Sequence, residues 1–374
     1  SHRGPLHGLP VAVKDVLETD DLPTQMGSSI YAGYQSRADS AVVAAARSAG
    51  ALILGKTVTC EFAGIAPRET CNPLDLTRTP GGSSSGSAAA VADFMAPLAF
   101  GTQTGGSILR PASFCGIIGY KPTYGTCNRQ GLKFAAESLD TIGFFAREIE
   151  DVMLFADALL NRAPAALEVF SKPRIGLCRT YLWDAKASAE TRAAFDQAAR
   201  QAADAGADIV EFDLPAGYQD LTAAREVINN VERARSLAWE WRTHRSEISP
   251  QMTASVEDGL RTSHATYLAQ LRRAEDLRTD FGLISEGFDA LLAPAVNGEA
   301  PSGLAYAGDP SFQGLWTLLH VPTLAMPASR GPHGMPVAIQ LVGRRDEDHK
   351  LLSLAIWLRD KANIRLQQGK VLAN

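Results

Sequence analysis

Short runs of β-branched and aliphatic residues alternate with stretches of helical periodicity along most of the chain, and this alternation is what limits the folds open to it. The runs cover residues 9–13, 51–54, 174–178, 208–212, 289–292, 323–326 and 337–342. Between them, apolar residues recur at three- and four-residue spacing over 39–49, 147–160, 189–205 and 347–358. Strands and helices in alternation bury their apolar faces by layering, so an α/β fold with a largely parallel or mixed sheet is expected. One segment breaks the pattern: residues 215–284 are charged, Arg-rich and almost free of strand signals, and read as a helical layer or cap inserted before the sheet resumes. Gly and Pro punctuate 297–307 and 330–336, which read as loops.

Composition then removes several function classes. With 45% hydrophobic and 21% charged residues the chain can bury a substantial core. A net charge of -5 with interleaved signs offers no basic stripe to neutralise phosphates, so no nucleic-acid contact is expected through this chain by itself. The longest apolar stretch, 88–100, is broken by Asp93 and Pro97 and is too short to span a bilayer, so no membrane association is expected. Cys60, Cys71, Cys115, Cys127 and Cys178 are odd in number and lack CxxC spacing, the pattern of buried thiols in a reducing cytoplasm. The 7 histidines are scattered without HExxH or paired spacing, which leaves neither a metal nor another cofactor to expect.

The chemistry concentrates between residues 6 and 124. Thr79-Pro80-Gly81-Gly82-Ser83-Ser84-Ser85-Gly86-Ser87 runs into Ala88-Ala89-Ala90-Val91-Ala92, a flexible loop entering a tightly packed helix. A phosphate-cradling loop would need a GK[ST] ending that is missing, and a plain linker would not lead straight into an apolar helix. Further on, Gly101-Thr102-Gln103-Thr104-Gly105-Gly106-Ser107-Ile108-Leu109-Arg110-Pro111 sets one serine behind two glycines. Consecutive glycines let backbone N–H groups converge on one point, as an oxyanion site requires, although a tight turn capped by Ser107 fits the same residues. Upstream, Lys14 closes the apolar run of Gly8-Leu9-Pro10-Val11-Ala12-Val13, where it is either a snorkelling surface residue or a buried base. Of the cysteines, Cys115 is the candidate for a competing thiol nucleophile, with no histidine near it in sequence to activate it.

Taken together, these segments resemble the amidase signature family, whose motif joins a GGSSxGSAAAVA stretch to GTxxGGSxRxP-like residues. Ser138-Leu139-Asp140-Thr141-Ile142-Gly143 and Met335-Pro336-Val337-Ala338-Ile339-Gln340-Leu341-Val342-Gly343 extend the resemblance over most of the chain, with its weakest part at about 215–284. The resemblance implies the amidase signature fold, a mixed central sheet covered by helices on both faces, as a single domain over 1–374. It implies a Ser–cis-Ser–Lys triad of Ser107 as nucleophile, Ser83 as relay and Lys14 as base, with a cis peptide between Gly82 and Ser83. Thr104, Gly105 and Gly106 would then supply the oxyanion hole, while Ser84, Gln103 and Arg110 become candidates for binding substrate.

Two departures suggest a malonamidase-like branch: Gln103 stands where many members have Asp, and Arg110 lies three positions after the nucleophile rather than two. Preceding Pro111, the Arg110 backbone is expected to be extended. Its guanidinium could then fork a substrate carboxylate, or could serve a structural ion pair instead. The reaction implied is hydrolysis of a small amide, one bearing an acid group, in the cytoplasm. The alternative within the family is the amidase-like subunit of a tRNA-dependent amidotransferase, which passes ammonia to a partner chain. A helical segment usually precedes the lysine strand in the family, and none precedes it in this sequence, so a homodimer is left open as the assembly.

Overall fold

The computed structural model describes residues 3–160 and 165–366. Its strands are β1 (Pro10–Lys14), β2 (Leu52–Thr57), β3 (Leu98–Gln103), β4 (Ile118–Lys121), β5 (Thr141–Ala146), β6 (Arg174–Leu177), β7 (Asp208–Glu211), β8 (Ala290–Pro294), β9 (Thr323–Arg330) and β10 (Pro336–Val342). They form one ten-stranded mixed sheet in the order β2-β1-β3-β5-β4-β9-β10-β8-β6-β7. Parallel pairs make both wings, β2-β1-β3 and β8-β6-β7, whereas the middle of the sheet is antiparallel.

Strand residues alternate between the two faces with period two, so each of β1, β3 and β5 feeds a core on either side of the sheet. Val11, Val13, Leu98, Phe100 and Phe144 pack into one core with α1 (Ala41–Ser48) and α4 (Ile149–Leu159). Their neighbours Ala12, Ala99 and Phe145 face the opposite side, where α2 (Ser85–Ala92) and α3 (Leu109–Cys115) lie. Small residues on this second face let the helices approach closely: a Cβ at Gly119 would stand 2.4 Å from the Cβ of Ala112 on α3. The β3, β4 and β5 strands fall where the sequence shows no strand signal. All three are buried along their whole length, so they lack the polar alternation that marks a half-exposed strand.

Beyond these, α5 (Trp183–Lys186) and α6 (Ala189–Asp204) precede β7. Residues 215–284 hold α7 (Leu221–Ser236), α8 (Ala238–Thr243), α9 (Pro250–Arg261) and α10 (His264–Ile284), and α11 (Ser311–Leu318) and α12 (Asp348–Asp360) follow. Side-chain caps start α9 and α10: Ser249 accepts from the Met252 amide, with Pro250 in the first turn, and Ser263 accepts from the Thr266 amide. Ile228 and Val231 of α7, Ala274 and Phe281 of α10, and Leu315 and Trp316 of α11 share a second core, which seats this helical layer on the rest of the molecule. Among the described residues no helix is long and apolar enough to cross a membrane.

Candidate active site

The end of β1 carries Lys14 into the interior, where its side chain is fully buried. Its Nζ donates to Ser83 Oγ at 2.9 Å and to Thr102 Oγ1 at 2.7 Å. Removal from water disfavours the ammonium form and pulls the Lys14 pKa down to about 7, opposed by the nearby Cys60 and Asp140. A neutral amine is therefore accessible near neutral pH. Two residues before Ser83, Gly81 has a φ of +83°, and a Cβ on it would stand 2.9 Å from Pro111 Cα, so there is no place for a side chain. The Gly82–Ser83 peptide is cis.

Ser107 lies between β3 and α3 and lines a cavity of about 330 Å³ together with Thr104, Gly105 and Gly106. Among the described residues no acceptor takes the backbone N–H of Thr104, Gly105, Gly106 or Ser107, so four amides of this loop are without a protein partner. The Ser107 hydroxyl has no hydrogen-bond partner among those residues either; the Ser84 amide, 3.4 Å from the Ser107 carbonyl oxygen, ties the two serine segments together. The loop is held from beneath. Thr104 Oγ1 donates to Asp140 Oδ1 at 2.5 Å, while Asp140 Oδ2 accepts from the amides of Ala135 and Ala136. Burial raises the pKa of Asp140, against the hydrogen bonds that favour its ionised form.

The remaining sequence candidates have internal tasks. Gln103 Oε1 accepts from the amides of Ile108 and Leu109, at the start of α3, and its Nε2 donates to Thr317 Oγ1, which donates to the Gly105 carbonyl. Ser84 Oγ exchanges hydrogen bonds with the Thr102 backbone. Arg110 lines the cavity, but its Nε and Nη2 both donate to Gly82 O and its Nη1 to Gly308 O. The edge of the guanidinium suited to a carboxylate thus grips the backbone beside Ser83. Arg110 is also helical rather than extended: its amide bonds to Gly106 O, and Pro111 falls in the first turn of α3, where a missing N–H costs nothing. Cys115 is buried on α3, its thiol 3.5 Å from the Pro80 carbonyl, and desolvation pushes its pKa up, the reverse of an activated nucleophile.

Thr102 and Asp140 were both present in the motifs, yet sequence spacing gave neither a role. Arg225 and Arg233, which α7 brings to the same cavity, were signalled only by the Arg-rich character of their segment. A larger cleft of about 830 Å³, bordered by Arg147 and Arg359, holds none of Lys14, Ser83 and Ser107. Among the described residues one carboxylate group, Asp20, Asp21 and Asp39, is close enough to hold a metal, but Arg47 pairs with all three and none lines the cavity.

Fold and site together define an amide-hydrolysing enzyme. The chain belongs to the amidase family, whose model matches residues 1–352. It is similar to a glutamyl-tRNA(Gln) amidotransferase subunit from Symbiobacterium thermophilum, 35% identical over 408 aligned residues that span 96% of this chain and 83% of that one. A crystal structure of an amidase superposes with a TM-score of 0.88 at 32% identity, covering 96% of this chain and 85% of that one. Another, from work on a vestigial protein complex and the evolutionary origins of an s-triazine catabolic enzyme, superposes at 0.87 with 28% identity, covering 98% and 86%. The curated relative belongs to a different branch from the malonamidase-like one expected from the sequence.

Proposed function

We propose that this chain hydrolyses the C–N bond of a small, carboxylate-bearing amide through an acyl-enzyme on Ser107. The observation that carries the reading is Lys14, buried, with its pKa lowered to about 7 and its Nζ 2.9 Å from Ser83 Oγ, in a segment that the Ser84 amide ties to the Ser107 carbonyl oxygen at 3.4 Å. Neutral Lys14 takes the Ser83 proton as Ser83 takes that of Ser107, whose oxygen adds to the amide carbonyl. The unpaired amides of residues 104–107 hold the developing oxyanion. Collapse of the adduct returns the proton to the leaving amine, and water releases the acid by the same route. Thr104, Gly105 and Gly106 act here through their backbones; Gln103, Ser84 and Arg110 position the reacting segments. Residues 215–284 form the layer over the cavity of what we take to be a single catalytic unit, and the five cysteines, odd in number and without CxxC spacing, suit a cytoplasmic location. Placement in a malonamidase-like branch rests on Gln103 and Arg110 alone.

A second reading has the support of the curated relative: the chain would be the amidase-type component of an amidotransferase acting on glutamyl-tRNA(Gln). Incubating the purified chain with small amides, without tRNA or partner, and measuring ammonia separates the two. Turnover by the chain alone supports the first reading; ammonia release only after a partner is added supports the second. The mass of the active species in the same preparation distinguishes a monomer from a homodimer.

A further inference from the structure

Helix α7 presents residues 225, 229 and 233 at four-residue intervals, close to one side of the helix, and all three line the cavity that Ser107 opens onto. Arg225 is 9% exposed, yet its guanidinium donates no hydrogen bond to any described residue, and its Nε is enclosed without a partner. The acid within ion-pair range is Glu226, whose Oε1 is 3.9 Å from Nη2 and whose side chain is 63% exposed. Arg225 also abuts the oxyanion loop: its Nη1 would be 3.3 Å from a Cβ on Gly105.

Arg233 is buried as well. It donates to Ser255 Oγ at 2.9 Å and Asn229 Oδ1 at 3.3 Å, while its Nε is also unpartnered. The buried carboxylate that acts on it, Asp140, already has both oxygens engaged by Thr104, Ala135 and Ala136. A buried guanidinium that no carboxylate hydrogen-bonds is costly even with Glu226 and Asp309 acting on Arg225 from a distance and Asp140 on Arg233, and guanidinium stays protonated at neutral pH even when burial lowers its pKa.

Two such groups in a cavity that also holds the nucleophile call for an anion in the substrate. Building on the hydrolytic reading of Ser107, we propose that Arg225 and Arg233, rather than Arg110, bind the substrate carboxylate. Arg225 makes the direct grip and Arg233, aimed by Ser255 and Asn229, supports it. Because Arg225 touches Gly105, two residues from the nucleophile, the acid group lies within a few bonds of the scissile carbonyl. The volume of about 330 Å³, at the small end for ligand sites, suits a short acid amide.

The test uses the full chain in two forms. In Ser107→Ala, titration calorimetry with malonate reads binding without turnover; Arg225→Ala on that background should weaken it about 100-fold, and Arg225→Lys less. In the active enzyme, kcat/KM for malonamate relative to neutral malonamide should fall at least 30-fold in Arg225→Ala, and added guanidinium ion should restore part of the loss. Arg225→Met should raise Tm, since it removes a buried charge that no hydrogen bond to the protein satisfies, whereas a structural arginine would lower it. Equal losses on both amides, unchanged malonate affinity, or a lowered Tm would overturn the assignment. If the wild-type chain releases no ammonia from any amide, the hydrolytic reading fails by itself and the calorimetry still decides the carboxylate site.

Discussion

The floor and the roof of the cavity are built on opposite terms. In the floor, residues 104–107 line the cavity, and behind them Lys14 bonds Ser83 and Thr102, Ser84 the Thr102 backbone, Gln103 the amides of Ile108 and Leu109, and Asp140 Thr104. Almost every side-chain polar atom has its partner, so the geometry is over-determined. In the roof, α7 brings two buried arginines whose donors are only partly used. Atoms that must not move are tied down by the protein, while atoms that choose a ligand are left for the ligand to complete. Reaction and selectivity thus reside in separate layers and can be perturbed separately.

The largest expected effect is on the floor. Ser107→Ala should lower kcat by about 10⁴-fold or more, with loss of labelling by a fluorophosphonate. Labelling that persists in the variant would remove Ser107 from the nucleophile position. Lys14→Arg should be as damaging, because guanidinium does not give up its proton at working pH. In the wild type, kcat should climb as pH rises through about 7, where Lys14 loses its proton. The same shift bears on stability. Between about 7 and the ordinary lysine value of 10.5, the unfolded chain holds a proton that folded Lys14 has released, so this group's contribution to stability grows with pH across that window. Lys121, buried and lowered to about 7 as well, adds a second such slope. Denaturant melts of Lys14→Met should show the pH slope reduced by about 1.4 kcal/mol per unit, with the Lys121 share left in place.

A smaller loss, about 10- to 100-fold in kcat, is expected for Asp140→Asn, which weakens the anchor of Thr104 beneath the oxyanion loop. The charge of Asp140 holds the Lys14 pKa up, so its removal should also move the acid limb of the pH profile to lower pH. An unmoved limb would show that Asp140 acts on the loop alone. The smallest effect tests the roof: Ser263→Ala removes the cap of α10 and should cost about 1 kcal/mol of stability in a denaturant melt. Turnover of a small neutral amide should change less than about threefold; a larger change would mean that floor and roof are coupled.

The difference between the layers also explains what could be read from the sequence. The two glycine-serine segments and the lysine run carry the family's motif in contiguous residues, so the sequence alone points to Lys14, Ser83 and Ser107, the residues the proposed mechanism uses. What was not legible depends on three-dimensional approach. Arg110 followed by proline suggests extended backbone, but a proline in the first turn of α3 is compatible with helix. Gln103 resembles a substrate-facing amide until α3 folds back and brings the amides of Ile108 and Leu109 onto it. Strands β3 to β5 gave no alternation because both their faces are covered. Arg225 and Arg233 sit in a surface-like run of charge, and only the packing of α7 over Gly105 turns two of those charges inward.

The strand order has a consequence for synthesis. β4 pairs with β5 on one side within a few tens of residues, but on the other with β9, where Tyr120 lies opposite Leu324. At roughly 5–20 residues per second, a ribosome needs on the order of 10–40 s to make the intervening chain. During that interval the nascent sheet displays β4 as an unpaired edge, the kind of surface that other chains can add to. Recovery of soluble protein should therefore depend on how quickly residues 122–330 are delivered, and a pause in translation before residue 323 is the point at which a nascent-chain chaperone has the most to protect.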